Sequence, residues 1–179
     1  MGLKQIDHGS KEYQQMVSLR YEIMRKPLGL LFSPEELAKE KHDILICAFD
    51  EDVLLGCCIL TDMKNNCVRL RQMAVLKNMQ GKGIGESMVT FAENLARDKG
   101  YKTLTMHARD SAIGFYEKYG YKVVGDQFIE INIPHHIMEK KLRWKFLLQN
   151  DVDYVKAIWS IVYTVNLNNR FLLTDLRRQ

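Results

Sequence analysis

The chain has 179 residues, of which 46% are hydrophobic and 27% are charged, as expected for a globular protein of one domain. The formal net charge is +4, but the basic residues are interspersed with acidic ones, so the composition does not favour nucleic-acid binding. No apolar run approaches the ~18 residues of a transmembrane helix, and the first residues lack the apolar core of a signal peptide. We therefore expect a cytoplasmic protein that binds neither nucleic acid nor membrane.

The cysteines predict neither a disulfide framework nor a metal site. Cys47, Cys57, Cys58 and Cys67 contain no C-x-x-C pair and no spacing typical of zinc ligands. Three of them lie in apolar runs, where a free thiol behaves as a small hydrophobic group. The pattern indicates reduced core thiols and no bound metal.

The first half of the chain predicts two helices followed by three strands. Apolar residues recur at helical spacing over 11–26, and this helix is expected to end before Pro27. Ser33, followed by a proline and two glutamates, is typical of the start of a second helix. The strands are expected at 44–49, 53–62 and 67–75.

The second half alternates helices and strands. Helices are expected over 84–98, which ends at Gly100, and over 110–119, which ends at Gly120. The strands are expected at 103–108, 121–124 and 136–142. This order predicts an α/β fold with a mixed, mostly antiparallel twisted sheet flanked by helices.

The last part of the chain differs in composition from the rest. Apolar residues at Tyr154, Ile158, Ile161, Val162 and Val165 recur at the spacing of one helix face. We predict a domain over 1–142 and a helical C-terminal extension over 143–179. The extension is expected to pack on the domain or across a homodimer, and a peripheral membrane helix is the less favoured alternative.

A glycine-rich segment predicts a phosphate-binding turn. It follows an apolar strand and leads directly into the helix at 84–98, where unpaired N–H groups and the helix dipole favour anions. Spacing excludes two nucleotide-binding patterns, because Gly85 is followed by Glu86-Ser87 instead of the Walker lysine and hydroxyl. A dinucleotide loop that starts at Gly81 would need a third glycine where Glu86 stands. A glycine-rich turn without a ligand is the alternative.

Two motifs carry a resemblance to a known family. Gln80, Gly83 and Gly85 fit Q-x-x-G-x-G and resemble the coenzyme A pyrophosphate loop of the GNAT superfamily of N-acetyltransferases. The run A-I-G-F-Y-E-K-Y-G-Y over 112–121 resembles a second motif of that superfamily. The resemblance extends over residues 3 to 142. The run I-P-H-H-I-M-E-K over 133–140 is similar to the ending of a bacterial subgroup.

The resemblance implies an acyl-CoA N-acyltransferase fold, with acetyl-CoA as acyl donor and no metal. It implies that Tyr116 is the general acid, although a purely structural Tyr116 is the alternative. It also implies that backbone groups of the strand and loop hold the cofactor. These cofactor-binding residues are Met73, Ala74, Val75, Gln80, Gly81, Lys82, Gly83, Ile84, Gly85, Glu86 and Ser87.

The chain departs from the family pattern in two respects. Members often carry a catalytic carboxylate on the strand before the loop, where this chain has Arg69, Arg71 and Gln72. The candidate general bases are therefore residues outside that strand, namely Glu130, His107, His135 and His136, acting directly or through a water chain, and a structural or surface role is the alternative for each. Arg109 stands where many relatives carry an asparagine beside the coenzyme A arm, and it either contacts the cofactor differently or faces solvent.

The function expected from the resemblance is transfer of an acetyl group to a primary amine of a small molecule or peptide. A catalytically silent acyl-CoA-binding sensor or scaffold is the alternative. The acceptor is not determined by the sequence. Arg69 and Arg71 either favour an acidic acceptor or lie on a solvated face of the sheet.

Overall fold

Seven strands form one sheet in the order β1-β2-β3-β4-β5-β7-β6 in the computed structural model, which describes residues 1–143. All neighbouring strands are antiparallel except β4 and β5, which are parallel. The strands are β1 Gly2–Ile6, β2 Ile44–Asp50, β3 Val53–Asp62, β4 Cys67–Val75, β5 Thr103–Arg109, β6 Lys122–Glu130 and β7 Ile133–Lys141. The predicted mixed, mostly antiparallel sheet is therefore confirmed.

Four α-helices connect these strands, together with shorter helical turns. The helices are α1 Lys11–Arg20, α2 Pro34–Ala38, α3 Ile84–Asp98 and α4 Ile113–Glu117. A π-helical turn covers Tyr21–Arg25, and 3-10 turns cover Lys26–Leu28, Lys39–His42, Lys77–Met79 and Asp110–Ala112. None of the helices within residues 1–143 has the length and apolar character that a membrane crossing requires. The helix predicted in the C-terminal extension lies outside the described residues.

The structure corrects two expectations about the first part of the chain. Gly2–Ile6 forms an edge strand, which the sequence did not suggest because Ile6 is its one buried residue. The first α-helix ends at Arg20, and the helical backbone then continues through Pro27 to Leu28. Pro27 is tolerated because it lies at the start of a 3-10 turn, where no N–H donor is needed.

The last two strands are longer than predicted because the turn between them carries no familiar signal. Ile131 and Asn132 form a two-residue connection with φ values of 51° and 58°. Two positive φ values suit a tight hairpin turn, but isoleucine rarely adopts them. The helix predicted over 110–119 consists of a 3-10 turn followed by the short helix α4.

Two apolar cores lie on opposite faces of the sheet. The α3-side core packs α3 and α4 against alternate strand residues, including Ile46, Leu70 and Met106. The α1-side core packs α1 against residues of β1 to β4, including Cys47 and Ala74. Burial raises the pKa of the Cys47 thiol to about 12, so this thiol stays protonated at neutral pH.

A buried ion pair fixes α1 to the segment that follows α2. Arg20 donates two hydrogen bonds to the Glu40 carboxylate, at 2.7 and 2.9 Å, and the Tyr13 hydroxyl donates a third at 2.7 Å. Arg20 is 0% exposed and Glu40 is 2% exposed. Because both charges are removed from water, each depends on the other for compensation.

We predict that Glu40→Gln strongly destabilises the protein, because it leaves the Arg20 guanidinium buried without a counter-charge. The expected loss of unfolding free energy is about 3–5 kcal/mol, measured by urea unfolding followed by circular dichroism. Glu12→Gln is the control, since it removes an exposed partner of Lys4 and should leave the urea midpoint nearly unchanged. Equal midpoints for the two variants would contradict the prediction.

Candidate functional site

The sheet opens between β4 and β5. The two strands pair only from Cys67 with Thr103 to Leu70 with Met106. Beyond this point β4 stays with β3 up to Val75, whereas β5 stays with β7 up to Arg109. The peptide groups of β4 from residue 71 to 75 therefore face an opening instead of a neighbouring strand on the β5 side.

An extra residue in β4 lies beside this opening. Ile59 pairs with Arg71 and Cys57 pairs with Ala74, so three steps along β4 match two along β3. Gln72 has a φ of 53°, which is typical of a β-bulge. Beyond the bulge, the side chains of β4 therefore alternate between the two faces of the sheet in the opposite phase. Leu70 packs in the α3-side core, whereas Ala74 packs in the α1-side core.

Tyr116 lies on α4 at the α3 side of this opening. Its hydroxyl donates to the Met73 sulphur at 3.4 Å, and its ring packs edge-on against Phe115 and Tyr121. The side chain is 8% exposed, and this burial raises the pKa of Tyr116 well above its ordinary value. The phenol therefore remains protonated at neutral and mildly alkaline pH.

The glycine loop connects the end of β4 to α3. The side-chain amide of Gln80 donates to the Val75 carbonyl at 3.2 Å and holds the loop against the strand. Gly81 and Gly83 have φ values of 77° and 80°, and a Cβ atom at either would meet nothing within 4 Å. The loop therefore borders open space. At Gly85 a Cβ atom would lie 3.3 Å from both Met73 and Phe115, so glycine permits the close approach of α3.

The start of α3 presents several unpaired N–H groups. Within residues 1–143, no backbone hydrogen bond is donated by residues 81 to 86, and the first is donated by Ser87 to the Gly83 carbonyl at 3.0 Å. The helix that follows has 15 residues, so its dipole adds a positive potential at the same place. Free N–H groups, positive φ and open space together suit a phosphate or diphosphate group.

A basic cleft lies next to the opening between β4 and β5. It has a volume of about 360 Å³ and is bounded by β4, β5, the β6–β7 hairpin and the turn after α1. Its polar and titratable lining residues are Arg25, Arg69, Arg71, Gln72, His107, Arg109, Tyr116, Glu130 and His135. Tyr116 thus lines the same cleft as three of the four candidate bases.

His107 and Glu130 form a pair within this cleft. His107 Nδ1 lies 3.1 Å from Glu130 Oε2, and the His107 ring packs edge-on against Phe128. His135 Nδ1 lies 2.8 Å from the Ile133 carbonyl oxygen and the side chain is largely buried. His136 lies 2.9 Å from Asp110 and does not line the cleft. The geometry therefore favours the His107–Glu130 pair for proton transfer.

The comparison with known proteins identifies the family. The family described as "Acetyltransferase (GNAT) domain" matches residues 30–142. The chain belongs to the GNAT family of acetyltransferases. The resemblance seen in the sequence is confirmed, whereas membership of the subgroup with the I-P-H-x-x-M-x-K ending remains a prediction.

Relatives and solved structures agree with this GNAT assignment. YyaT of Bacillus subtilis (strain 168), an uncharacterised protein, is 32% identical over 41% of this chain and 50% of its own. YjcF, an uncharacterised N-acetyltransferase of the same strain, is 30% identical over 59% of this chain and 74% of its own. The chain thus spans about half the length of the first relative. An aminoglycoside 6'-N-acetyltransferase complexed with coenzyme A has a TM-score of 0.69 at 19% identity, covering 80% of this chain and 98% of its own. This likeness shows the shared fold.

The structure places the predicted site residues in two groups. Met73 and Tyr116 are in contact at the opening, and the loop residues from Gln80 to Ser87 follow β4 after the 3-10 turn Lys77–Met79. Ala74 is buried in the α1-side core, so only its backbone can take part. Lys82 is exposed beside the loop, with Nζ 3.6 Å from the Met79 sulphur.

Several features of this candidate site had no signal in the sequence. Gln72 is not a residue type that suggests a positive φ, so the bulge was not predicted. His107 and Glu130 are 23 residues apart, and their pairing depends on the β6–β7 hairpin. Arg109 was noted as a departure from the family pattern, and the structure places it in the cleft lining.

Proposed function

We propose that the chain is an acetyl-CoA-dependent N-acetyltransferase that acts on a primary amine. The observation that carries this proposal is the opening between β4 and β5, which has the glycine loop at its end and Tyr116 at its side. Membership of the GNAT family supports the activity, as does the coenzyme A complex of the aminoglycoside 6'-N-acetyltransferase with the same fold.

The donor would be held mainly by backbone groups. The free N–H groups of residues 81 to 86 would bind the pyrophosphate of coenzyme A. The unpaired edge of β4 over Met73–Val75 would pair with the amide groups of the pantetheine arm. When bound, acetyl-CoA supplies the activated acetyl group. Backbone recognition explains why the side chains of Ala74 and Val75 pack in the cores.

Tyr116 is the proposed general acid. Its hydroxyl points at the end of β4, where it already donates to a sulphur atom of Met73. Burial keeps the phenol protonated, so it can give its proton to the departing thiolate sulphur. The aromatic cluster of Phe115 and Tyr121 holds the ring in place.

The His107–Glu130 pair is the proposed general base. A primary amine is protonated at neutral pH and must lose a proton before it can act as a nucleophile. Glu130 faces Nδ1 of His107, which leaves Nε2 of the same ring to accept the proton of the amine. The carboxylate would then stabilise the imidazolium that forms. This arrangement replaces the strand carboxylate that the family often uses.

We predict that Gly83→Ala weakens coenzyme A binding by at least about tenfold. The new Cβ atom would enter the open space beside the loop and strain a residue with a φ of 80°. Binding is measured by calorimetry, together with thiol release from acetyl-CoA in the presence of a panel of primary amines.

Gly100→Ala is the matched control, because Gly100 has a φ of 86° and is also surrounded by open space. The two variants should lose similar stability, but Gly100→Ala should bind coenzyme A normally. Equal binding by both would contradict the assignment of the loop. Binding by the wild type without amine-dependent thiol release would instead identify an acyl-CoA-binding sensor.

Tyr116→Phe is expected to lower kcat by about 10²- to 10⁴-fold, because it removes the proton donor and keeps the ring. Since burial raises the pKa of Tyr116, the wild type should show no loss of activity from its ionisation up to about pH 10. The control is Tyr121→Phe, which alters a buried tyrosine of the same cluster. A similar kcat for the two variants would assign Tyr116 a packing role.

Replacement of the base should slow the reaction mainly at low pH. Glu130→Gln and His107→Gln are expected to reduce kcat/KM by about 10²-fold or more near pH 7. The defect should shrink towards pH 10, because the free amine then forms without a base. His136→Gln removes a similar histidine–carboxylate pair outside the cleft and should leave the pH profile unchanged. A defect that is constant with pH would exclude proton abstraction by this pair.

A further inference from the structure

The positive charges of the cleft are only partly neutralised within the protein. Arg71 donates to Thr61 at 2.8 Å and to Asp43 at 2.7 Å. Arg25 is paired with Glu36 at 2.9 Å. Among the described residues, Arg69 and Arg109 line the cleft without an ion-pair partner. Two guanidinium groups of the cleft are therefore uncompensated.

Arg69 lies in the middle of the row of residues that crosses β3, β4 and β5. Its Nε atom is buried and has no hydrogen-bond partner in the part of the chain that the structure describes. Its register neighbours are Thr61 and Thr105. The Thr61 hydroxyl accepts from Arg71, and the Thr105 hydroxyl donates to the Met138 carbonyl. Neither neighbour carries a charge that could neutralise Arg69.

The nearby carboxylates already have other partners. Glu130 is the carboxylate that lines the cleft within residues 1–143, and it faces His107. Glu139 lies in the same row as Arg69, two strands away, and is paired with Lys141 at 2.7 Å. In the part of the chain that the structure describes, Glu139 forms no ion pair with Arg69. A partly buried guanidinium without a carboxylate partner can bind one through charge-assisted hydrogen bonds.

We infer that the acceptor is an amine that also carries a carboxylate, and that Arg69 binds this carboxylate while the amine faces His107. The inference rests on the proposed acetyl transfer and assigns the substrate class of the same site. His107 lies two residues along β5 from Thr105, the partner of Arg69. The backbones of Arg69 and His107 are thus offset by about 6–7 Å along the strand direction. This offset favours an amine and a carboxylate separated by several bonds, as in an ω-amino acid.

Paired acceptors test the inference directly. The probes are β-alanine, 4-aminobutanoate, 5-aminopentanoate and 6-aminohexanoate, each compared with its carboxamide, which keeps the size and removes the charge. The wild type should prefer at least one acid over its amide by about tenfold or more in kcat/KM. Arg69→Gln should abolish this preference and leave kcat/KM for the amides nearly unchanged. Arg69→Lys should retain part of the preference, because it keeps the charge and loses the planar fork.

Lys99→Gln is the matched control, since it removes one exposed positive charge at the end of α3, outside the cleft. It should keep the full preference for the acids. Calorimetry of the same acids with the coenzyme A-bound protein distinguishes carboxylate binding by Arg69 from the proposed acetyl transfer. Acids that bind only when Arg69 is present, with no acetyl transfer, would support the Arg69 site and contradict the transferase. Equal binding and turnover of acids and amides by the wild type would overturn the inference, as would a preference that survives Arg69→Gln.

Discussion

The site depends on the way in which β4 divides its pairing between two neighbours. It pairs with β5 for four residues, from Cys67 to Leu70, and with β3 along almost its whole length. Where the parallel ladder ends, the unpaired edge of β4 borders the opening, and the glycine loop follows after the 3-10 turn Lys77–Met79. A fully paired β4 would leave no backbone edge for a donor and no path from the loop to Tyr116.

The bulge at Gln72 allows β4 to contribute residues both to the basic cleft and to the contact with Tyr116. Before the bulge, Arg69 and Arg71 face the basic cleft, on the side away from Leu70 in the α3-side core. After it, Met73 contacts Tyr116 on α4. In the proposed mechanism Tyr116 reaches β4 from the α4 side, and the His107–Glu130 pair lines the same cleft from β5 and the β6–β7 hairpin.

The sequence was most informative where backbone conformation demands a particular residue. Gly81 and Gly83 both adopt positive φ, and their spacing could be recognised for that reason. The sequence was least informative where a residue adopts a conformation against its own preference, as Gln72 and Ile131 do. The pairing of the surrounding strands holds these residues in positive φ, so no local sequence pattern predicts their conformation. The His107–Glu130 pair likewise depends on the register of β6 and β7, because it joins residues that are distant in sequence.

The buried pair of Arg20 and Glu40 holds both ends of a segment that lines the cleft. Its two members bracket residues 21 to 39, none of which is buried. This bracketed segment contributes Ile23, Met24, Arg25 and Leu28 to the wall of the cleft. Its ends are held by an interaction that tolerates little change, whereas its own contribution to the α1-side core comes from two partly buried residues, Ile23 and Met24. Substitutions at its exposed positions are therefore expected to reshape the wall of the cleft at little cost to the packing of the sheet.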